Sequence, residues 1–495
     1  MRAAYTADQV RELEAAAMRA PEGAAGNGDA LMQRAAHGLA SVAVRELRER
    51  YGRVYGARVI VLVGTGNNGG DALYAGARLA RRGAHVVAAS VLGRPHAGGL
   101  EALLVAGGRH VERDGLHLDG YRPHPQSAPE IDLVLDGVLG IGGRPGLPET
   151  LAPLAEQLHR WRVPTIAVDL PSGVDADSGA APAEAFRATR TVTFGTLKPC
   201  HLLEPALTRC GEIELVPIGL ELSAEPALVA YDRDDLALHW PFPDESSDKY
   251  SRGVVGIDAG SEHYPGAAVM NTYAAVYAGA GMVRFLGPAA AAQVIAAQLP
   301  NVVFSPGRVQ AHLLGSGWGD RADGAEVIAS AVDSGLPVLV DADGLRQLPT
   351  RLPARCLLTP HAGELARLLD CPRGEVQADP VAAVRAAAGL TGATVLLKGA
   401  TQLVARPDSI QVGVAVAGPA WTAQAGSGDT LAGICAALLA AGVSAYQAAL
   451  LGASLQAVTA AAHPGPLPPH VLVQHCAHVL AGLQRRQSAL LAEDR

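Results

Sequence analysis

Residues 58–71, RVIVLVGTGNNGGD, run from a short apolar, β-branched stretch directly into a glycine-rich turn, and ALYAGARLARRG follows with helical character. A strand that is apolar on both faces must be covered on both faces, as in a parallel sheet packed between helices. This strand–loop–helix plan recurs along the chain. IDLVLDGVLGIGGRPG (131–146) ends in Asp136 and a glycine loop, and VPTIAVDLPSGVD (163–175) ends in Asp169, Pro171, Ser172 and Gly173. In open parallel sheets ligands bind beyond the carboxyl ends of the strands, and all these polar groups fall there. The plan returns in GVVGIDAGSEHYPGAAVMNTYAAVYAGAGMVRF (253–285), LPVLVDADGL (336–345), RCLLTPHAGELARLLD (355–370), ATVLLKGATQLVA (393–405) and AGSGDTLAGICAALLAAG (425–442). A chain of 495 residues exceeds what one core holds. The expected fold class is therefore α/β with two three-layer αβα domains, the first Rossmann-like. The segment 219–253 is rich in proline and acidic residues without a sustained strand pattern, so the boundary is placed there, giving domains 1–222 and 223–490.

The bulk properties narrow the function. The net charge is −8 and no long basic run occurs, so no nucleic acid is expected as a partner. No apolar run is long and charge-free enough to span a bilayer, so no membrane association is expected. The first residues, MRAAYTADQVRELEAAAMRA, lack an apolar signal core, and Thr6 with Gln9 reads as a capping box opening an amphipathic helix. The six cysteines form no CxxC pair, which in a chain of this size points to free thiols and a reducing, cytoplasmic location, with a zinc site as the weaker alternative.

Individual motifs leave alternatives open. Gly64, Gly66 and Gly69 satisfy G-x-G-x-x-G, but the next strand, AHVVAASVLGR, does not end in the acidic residue that a dinucleotide ribose requires; Arg94 could meet a 2′-phosphate instead. In AGSGDTLAGI (425–434) a glycine turn runs into a helix near Asp429, so free amides and the helix dipole invite an anion where a carboxylate already stands. Asp429 is either a helix cap or a base working on a hydroxyl beside a bound phosphate. Lys398 is either a point charge for phosphates or a solvated turn lysine. His361 is either a cap or a ligand contact.

VGTGNNGGDALYAGARL, LDGVLGIGG and AVDLPSGVD together resemble the YjeF N-terminal domain of the NAD(P)H-hydrate epimerase family, through most of residues 1–217. The resemblance implies a potassium ion held by Asn68, Asp136 and Ser172. It implies substrate contacts at Asn67, Asn68, Gly69, Gly70 and Asp71, along the loop Gly140, Ile141, Gly142, Gly143, Arg144, Pro145 and Gly146, and at Asp169, with Asp169 as the acid/base group. Oxygen-only ligands suit a hard cation. The sequence departs from the family pattern at Ala72 and Ile141, where glycine and threonine are usual, and LMQRAAHG lacks the usual glutamate.

KYSRG, GSEHYPGAA, GAGMV, DADGL, LTPHAGELARLL, LLKGAT and AGSGDTLAG, spread over about 249–435, resemble the YjeF C-terminal NAD(P)H-hydrate dehydratase family, a relative of the ribokinase-like kinases. The resemblance implies a ribokinase-like αβα domain that dehydrates the S hydrate of NADH or NADPH. ADP or ATP would be the phosphoryl donor with magnesium; bacterial members are usually ADP-dependent, so ADP is expected. By position, substrate would meet Ala267, Gly317, His361 and Asp429, with Asp429 catalytic. The nucleotide would meet Lys398, Gly399, Ala400, Thr401 and Gly428. Trp421 stands near the nucleotide side in GPAWTAQ, where the family tends to have Gly-Met. A homo-oligomer is expected from family habit. The alternatives are a ribokinase-like kinase of a vitamin precursor with an accessory first domain, and a scaffold built on a decayed pocket.

Overall fold

The computed structural model of the chain describes residues 1–19, 28–113 and 131–493. Its internal contacts divide it into two units, Ala3–Ala227 and Leu228–Arg495, with Met1 and Arg2 grouped with the second.

The first unit is built on a parallel sheet of β1 (Arg58–Val63), β2 (His85–Ser90), β3 (Arg109–Glu112), β4 (Leu133–Gly137), β5 (Thr165–Val168), β6 (Arg190–Phe194) and β7 (Glu212–Val216). The order is β3-β2-β1-β4-β5-β6-β7, and every neighbouring pair is parallel. This is a Rossmann-like order that reverses direction between β1 and β4, where a crevice opens beyond the strand ends. Val59–Val63 of β1 and all of β4 and β5 are buried, as their apolar runs require. The capping box forms as read: Gln9 N donates to Thr6 Oγ1 at 3.2 Å and Thr6 N to Gln9 Oε1 at 2.9 Å, opening the helix Ala7–Arg19.

One local reading needs correction. The Asn-Asn-Gly-Gly-Asp string does not belong to the loop; the helix starts at Asn67 and runs to Ala80, so the string is its first turn. The approach to that turn is tight, because a Cβ on Gly64 would lie 1.9 Å from the Val138 carbonyl oxygen. The glycine there lets the ends of β1 and β4 touch.

The segment 219–253 also holds more structure than its pattern suggested. Leu228–Ala230 forms β8, and the helix Arg233–His239 is capped by Asp232, which accepts from Asp234 N and Asp235 N at 2.8 and 3.0 Å. Three strand residues are too few to display a period. β8 begins the second unit, followed by β9 (Val254–Asp258), β10 (Met282–Phe285), β11 (Ala311–Leu314), β12 (Val338–Val340), β13 (Leu357–Leu358), β14 (Thr394–Leu397), β15 (Leu403–Ala405) and β16 (Val412–Val414). Their order is β8-β16-β15-β14-β13-β12-β11-β9-β10. All pairs are parallel except the β14–β15–β16 meander.

Two helices on one face of this sheet, Pro265–Tyr277 and Ser427–Ala440, pack almost backbone to backbone. A Cβ on Gly433 would meet the Asn271 carbonyl oxygen at 2.3 Å and Ala274 Cβ at 2.7 Å. Among the described residues no helix is long and apolar enough to cross a membrane. All six cysteines are unpaired thiols.

Gly433→Ala overpacks this contact and is expected to destabilise the protein by about 1–3 kcal/mol. Denaturant unfolding of the two proteins checks this; an unchanged midpoint would show that the helices separate without cost.

Candidate active sites

In the first unit, three strand-end groups converge beside β4. Asp136 is fully buried. Its Oδ2 accepts from Ser172 N at 2.8 Å and its Oδ1 from Ser172 Oγ at 2.6 Å, with Val138 N at 3.4 Å. Leu139 N donates to Ser172 Oγ at 2.9 Å, and Asn68 Nδ2 donates to Leu139 O at 3.1 Å. Burial pushes the Asp136 carboxyl up to about 6 even though Ser172 and Val138 donate to it. The pocket thus collects oxygens around a buried carboxyl that forms no ion pair among the described residues. That donor set fits a hard monovalent cation.

Asp169 follows β5 with φ of 66°, a left-handed conformation that aspartate tolerates better than most residues. Its Oδ1 accepts from Lys198 Nζ at 2.5 Å, Thr193 Oγ1 at 3.0 Å and Phe194 N at 3.4 Å. Lys198 is itself buried and also reaches Thr193 Oγ1 and Phe194 O. Burial works to raise the Asp169 carboxyl, but the Lys198 charge outweighs it and holds the group below its usual range. His201 locks the strained backbone. Its Nδ1 accepts from Lys198 N at 3.0 Å, so its Nε2 carries the proton it donates to Asp169 O at 3.0 Å. Burial, and then Lys198, push this imidazole down to about 4, so it stays neutral.

Asp71 has the opposite character. Its Oδ1 is buried with no partner, and burial followed by the charges of Asp169 and Glu14 raises it well above the carboxylate range. The two carboxyls are thus shifted in opposite directions, Asp71 upward by burial and Asp169 downward by Lys198. The loop 140–146 is fixed by main-chain bonds and by its neighbours. Gly143 N donates to Gly140 O and Gly146 N to Gly173 O, both at 2.8 Å, and Gly140 lies against Asn68. Arg11 Nη2 holds Ile141 O at 3.0 Å. Gly69 and Gly70 are buried, whereas Asn67, Gly142, Arg144 and Pro145 are exposed.

Sequence reasoning missed Lys198, His201, Thr193 and Glu14. Lys198 and His201 do stand just past the end of β6 in FGTLKPCH, the same kind of position as Asp136 and Asp169. Nothing in that stretch alone says that the lysine turns back under its neighbour strand.

In the second unit a cleft of about 1450 Å³ is lined by Ala267, Gly317, Gly426 and Asp429 among others. The helix begins at Ser427, so Asp429 is its third residue; the cap position is Gly426, at φ of 88°, with no side-chain cap. The capping explanation for Asp429 is thereby removed. Burial, then the nearby Asp341 charge, push its carboxyl up to about 7 against the pull of Lys398. Its carbonyl accepts from Asn271 Nδ2 at 2.7 Å.

Lys398 is not a solvated turn residue. Its Nζ donates to Asp341 Oδ1 at 2.7 Å and lies 4.0 Å from Glu364 Oε2. Asp341, buried, is steadied by Thr359 Oγ1 at 2.8 Å and Ser316 Oγ at 3.2 Å. Burial lowers Lys398, but Asp341 and Glu364 outweigh it and keep the ammonium charged. Its Nζ would lie 3.1 Å from a Cβ on Gly428, so this cation abuts the amides opening the Asp429 helix. His361 caps the helix Ala362–Leu368: its Nδ1 accepts from Gly363 N at 2.9 Å and Glu364 N at 3.2 Å, and the ring is half exposed. His361, Lys398, Gly399, Ala400 and Thr401 are not among the residues lining the cleft.

Known proteins match both halves. The family described as YjeF-related protein N-terminus matches residues 28–200, and the family described as NAD(P)H-hydrate dehydratase matches 255–471. The chain is 44% identical over 464 residues to the bifunctional NAD(P)H-hydrate repair enzyme Nnr of Mycobacterium tuberculosis, covering 91% of each chain. The chain belongs to the bifunctional NAD(P)H-hydrate repair enzyme family. The Mycobacterium leprae member is 43% identical over 505 residues, covering 98% of this chain and all of that one, and the Escherichia coli member is 33% identical over 418 residues. Relatives that share both halves do not favour a kinase with an accessory domain.

Lys198→Met leaves the Asp169 charge buried without its partner and is expected to cost about 3–5 kcal/mol of stability, with Lys198→Arg costing less. Because Asp169 is depressed in the fold, its contribution is present above the ordinary carboxylate range and lost as pH falls through the lowered value. The stability gap between wild type and Lys198→Met should therefore be widest near neutrality and narrow below about pH 4. Denaturant titrations at both pH values check the sign; a gap that widened in acid would contradict the assignment.

Proposed function

We propose that the first unit interconverts the R and S hydrates of NADH and NADPH, and that the second dehydrates the S form at the expense of ADP. The observation that carries the reading is Asp429: a carboxyl poised near neutrality, in a cleft with Ala267 and Gly317, beside amides that Lys398 abuts. Amides and lysine hold the phosphates of ADP, which enters with magnesium. The Asp429 carboxylate takes the proton from the ring hydroxyl as that oxygen accepts the β-phosphoryl group, leaving AMP. The phosphate ester is a far better leaving group than hydroxide. Loss of phosphate together with a proton from the adjacent ring carbon restores the reduced nicotinamide.

In the first unit Asp169, kept ionised by Lys198, serves as the acid/base group at the hydrated ring carbon. Asp71, whose carboxyl burial raises well above its ordinary value, offers a hydrogen-bonding group to the hydroxyl. Asn68, Asp136 and Ser172 would hold potassium, with the Leu139 carbonyl at the same spot. When bound, the ion supplies a fixed positive charge that keeps Asp136 ionised beside the substrate pocket.

Absorbance at the reduced-nicotinamide band tests both halves, with mixed R and S NADH hydrate, ADP, magnesium and potassium. Full conversion is expected of wild type, none of Asp429→Ala, and a halt after the S fraction of Asp169→Ala. A stable phosphate ester with no absorbance gain would be the behaviour of a small-molecule kinase. Since Asp429 must be ionised to accept the proton, kcat/KM of the dehydratase should rise through about pH 7; a flat profile would sink the base assignment.

The cation site has a separate readout. Asp136 titrates near 6 in the fold, so without a cation its contribution to stability is present at low pH and lost as pH rises through about 6. Potassium chloride should raise the melting temperature more at pH 8 than at pH 5, choline chloride should not, and Asp136→Asn should abolish the difference.

A further inference from the structure

The cleft that reaches Asp429 is lined by two guanidinium groups, Arg321 and Arg346, and they are not equivalent. Arg321 is fully engaged. It donates to Asp258 Oδ1 at 2.6 Å and to both Asp323 oxygens at 2.7 and 3.2 Å, and its guanidinium stacks 4.6 Å from the Trp318 ring centre. Trp318 Nε1 in turn donates to Asp258 O at 3.0 Å. Turning Arg321 toward a ligand would dismantle this set. Arg346 ends the turn Ala342–Arg346 that follows β12. It reaches Asp343 Oδ1 only at 3.8 Å, the outer limit of an ion pair, and its side chain is 54% exposed. Asp343 already accepts from Gly319 N at 2.9 Å through its other oxygen.

The rest of the charge on this cleft is unfavourable to an anion. Its other ionisable lining residues include the acidic Asp258, Glu262, Asp320 and Asp343, with no lysine among the described ones. A dinucleotide hydrate brings a diphosphate, and the NADPH form a third phosphate. We propose that Arg346 is the residue of this cleft that grips the diphosphate common to both hydrates. The inference rests on the dehydratase reading of the cleft. A guanidinium fork matches two phosphate oxygens, and releasing an exposed pair at 3.8 Å costs little. Arg346 and Asp429 line the same cleft, so a substrate whose ring lies at Asp429 can extend its diphosphate toward Arg346.

The test uses the full chain with saturating ADP and magnesium, and separately S-NADH hydrate and S-NADPH hydrate. Arg346→Ala should raise KM for both hydrates alike, by about ten- to a hundredfold for one lost charge-assisted contact, with kcat nearly unchanged. Arg346→Lys should recover part of the loss. A KM unchanged for both hydrates, or raised for the NADPH form alone, would overturn the diphosphate assignment; the second result would move Arg346 to the 2′-phosphate. A fall in kcat at constant KM would also overturn it. A wild-type enzyme that dehydrates neither hydrate would instead sink the reading of the cleft on which the inference rests.

Discussion

Parallel strands all end on one side of their sheet, and everything functional in both units depends on that constraint. A residue placed just past a strand is delivered to the same edge as its counterparts on neighbouring strands, however far apart they lie in sequence. Asn68, Asp136 and Ser172 meet this way in the first unit, as do Ser316, Asp341, Thr359 and Lys398 in the second. The glycines after the strands do the complementary work. At Gly64 even a methyl group would collide with the Val138 carbonyl, so glycine there lets the helix Asn67–Ala80 begin at the sheet edge and aim its opening turn at the crevice.

Delivering carboxylates to a water-poor edge raises an electrostatic difficulty that the two units meet in several ways. Asp169 is given a buried lysine and stays ionised. Asp136 is given hydrogen bonds and a cage of oxygens, which leaves it near 6 and suited to a cation. Asp71 has a buried Oδ1 without a partner, and burial raises its carboxyl well above the ordinary value. Asp429 stands between these limits near 7, since burial and Asp341 push one way while Lys398 pulls the other. The residue type is the same in each case. The neighbours decide which way its carboxyl is shifted.

The strand–glycine–helix rhythm carried the fold class, the strand-end aspartates, Ser172 and Lys398, because those features are local and recur along the chain, whereas Asn68 came from the family resemblance. The short strand Leu228–Ala230 was illegible because three residues show no alternation; it exists through its pairing with Val412–Val414. The role of Asp429 was ambiguous for a different reason. A cap and a base look alike in sequence, and only the helix start at Ser427 separates them.

The sequence by itself determined which chemical groups stand at the sheet edges, since apolar runs and glycine turns set the strand ends and the next few residues follow. Only the tertiary structure decided what those groups are. Lys198 lies 29 residues beyond Asp169, and Arg321 lies 63 beyond Asp258. Which of Arg321 and Arg346 is engaged, and which carboxyl keeps its proton, depends on distances and burial between such remote residues. Those terms act through space, and the order of residues along the chain does not encode them locally.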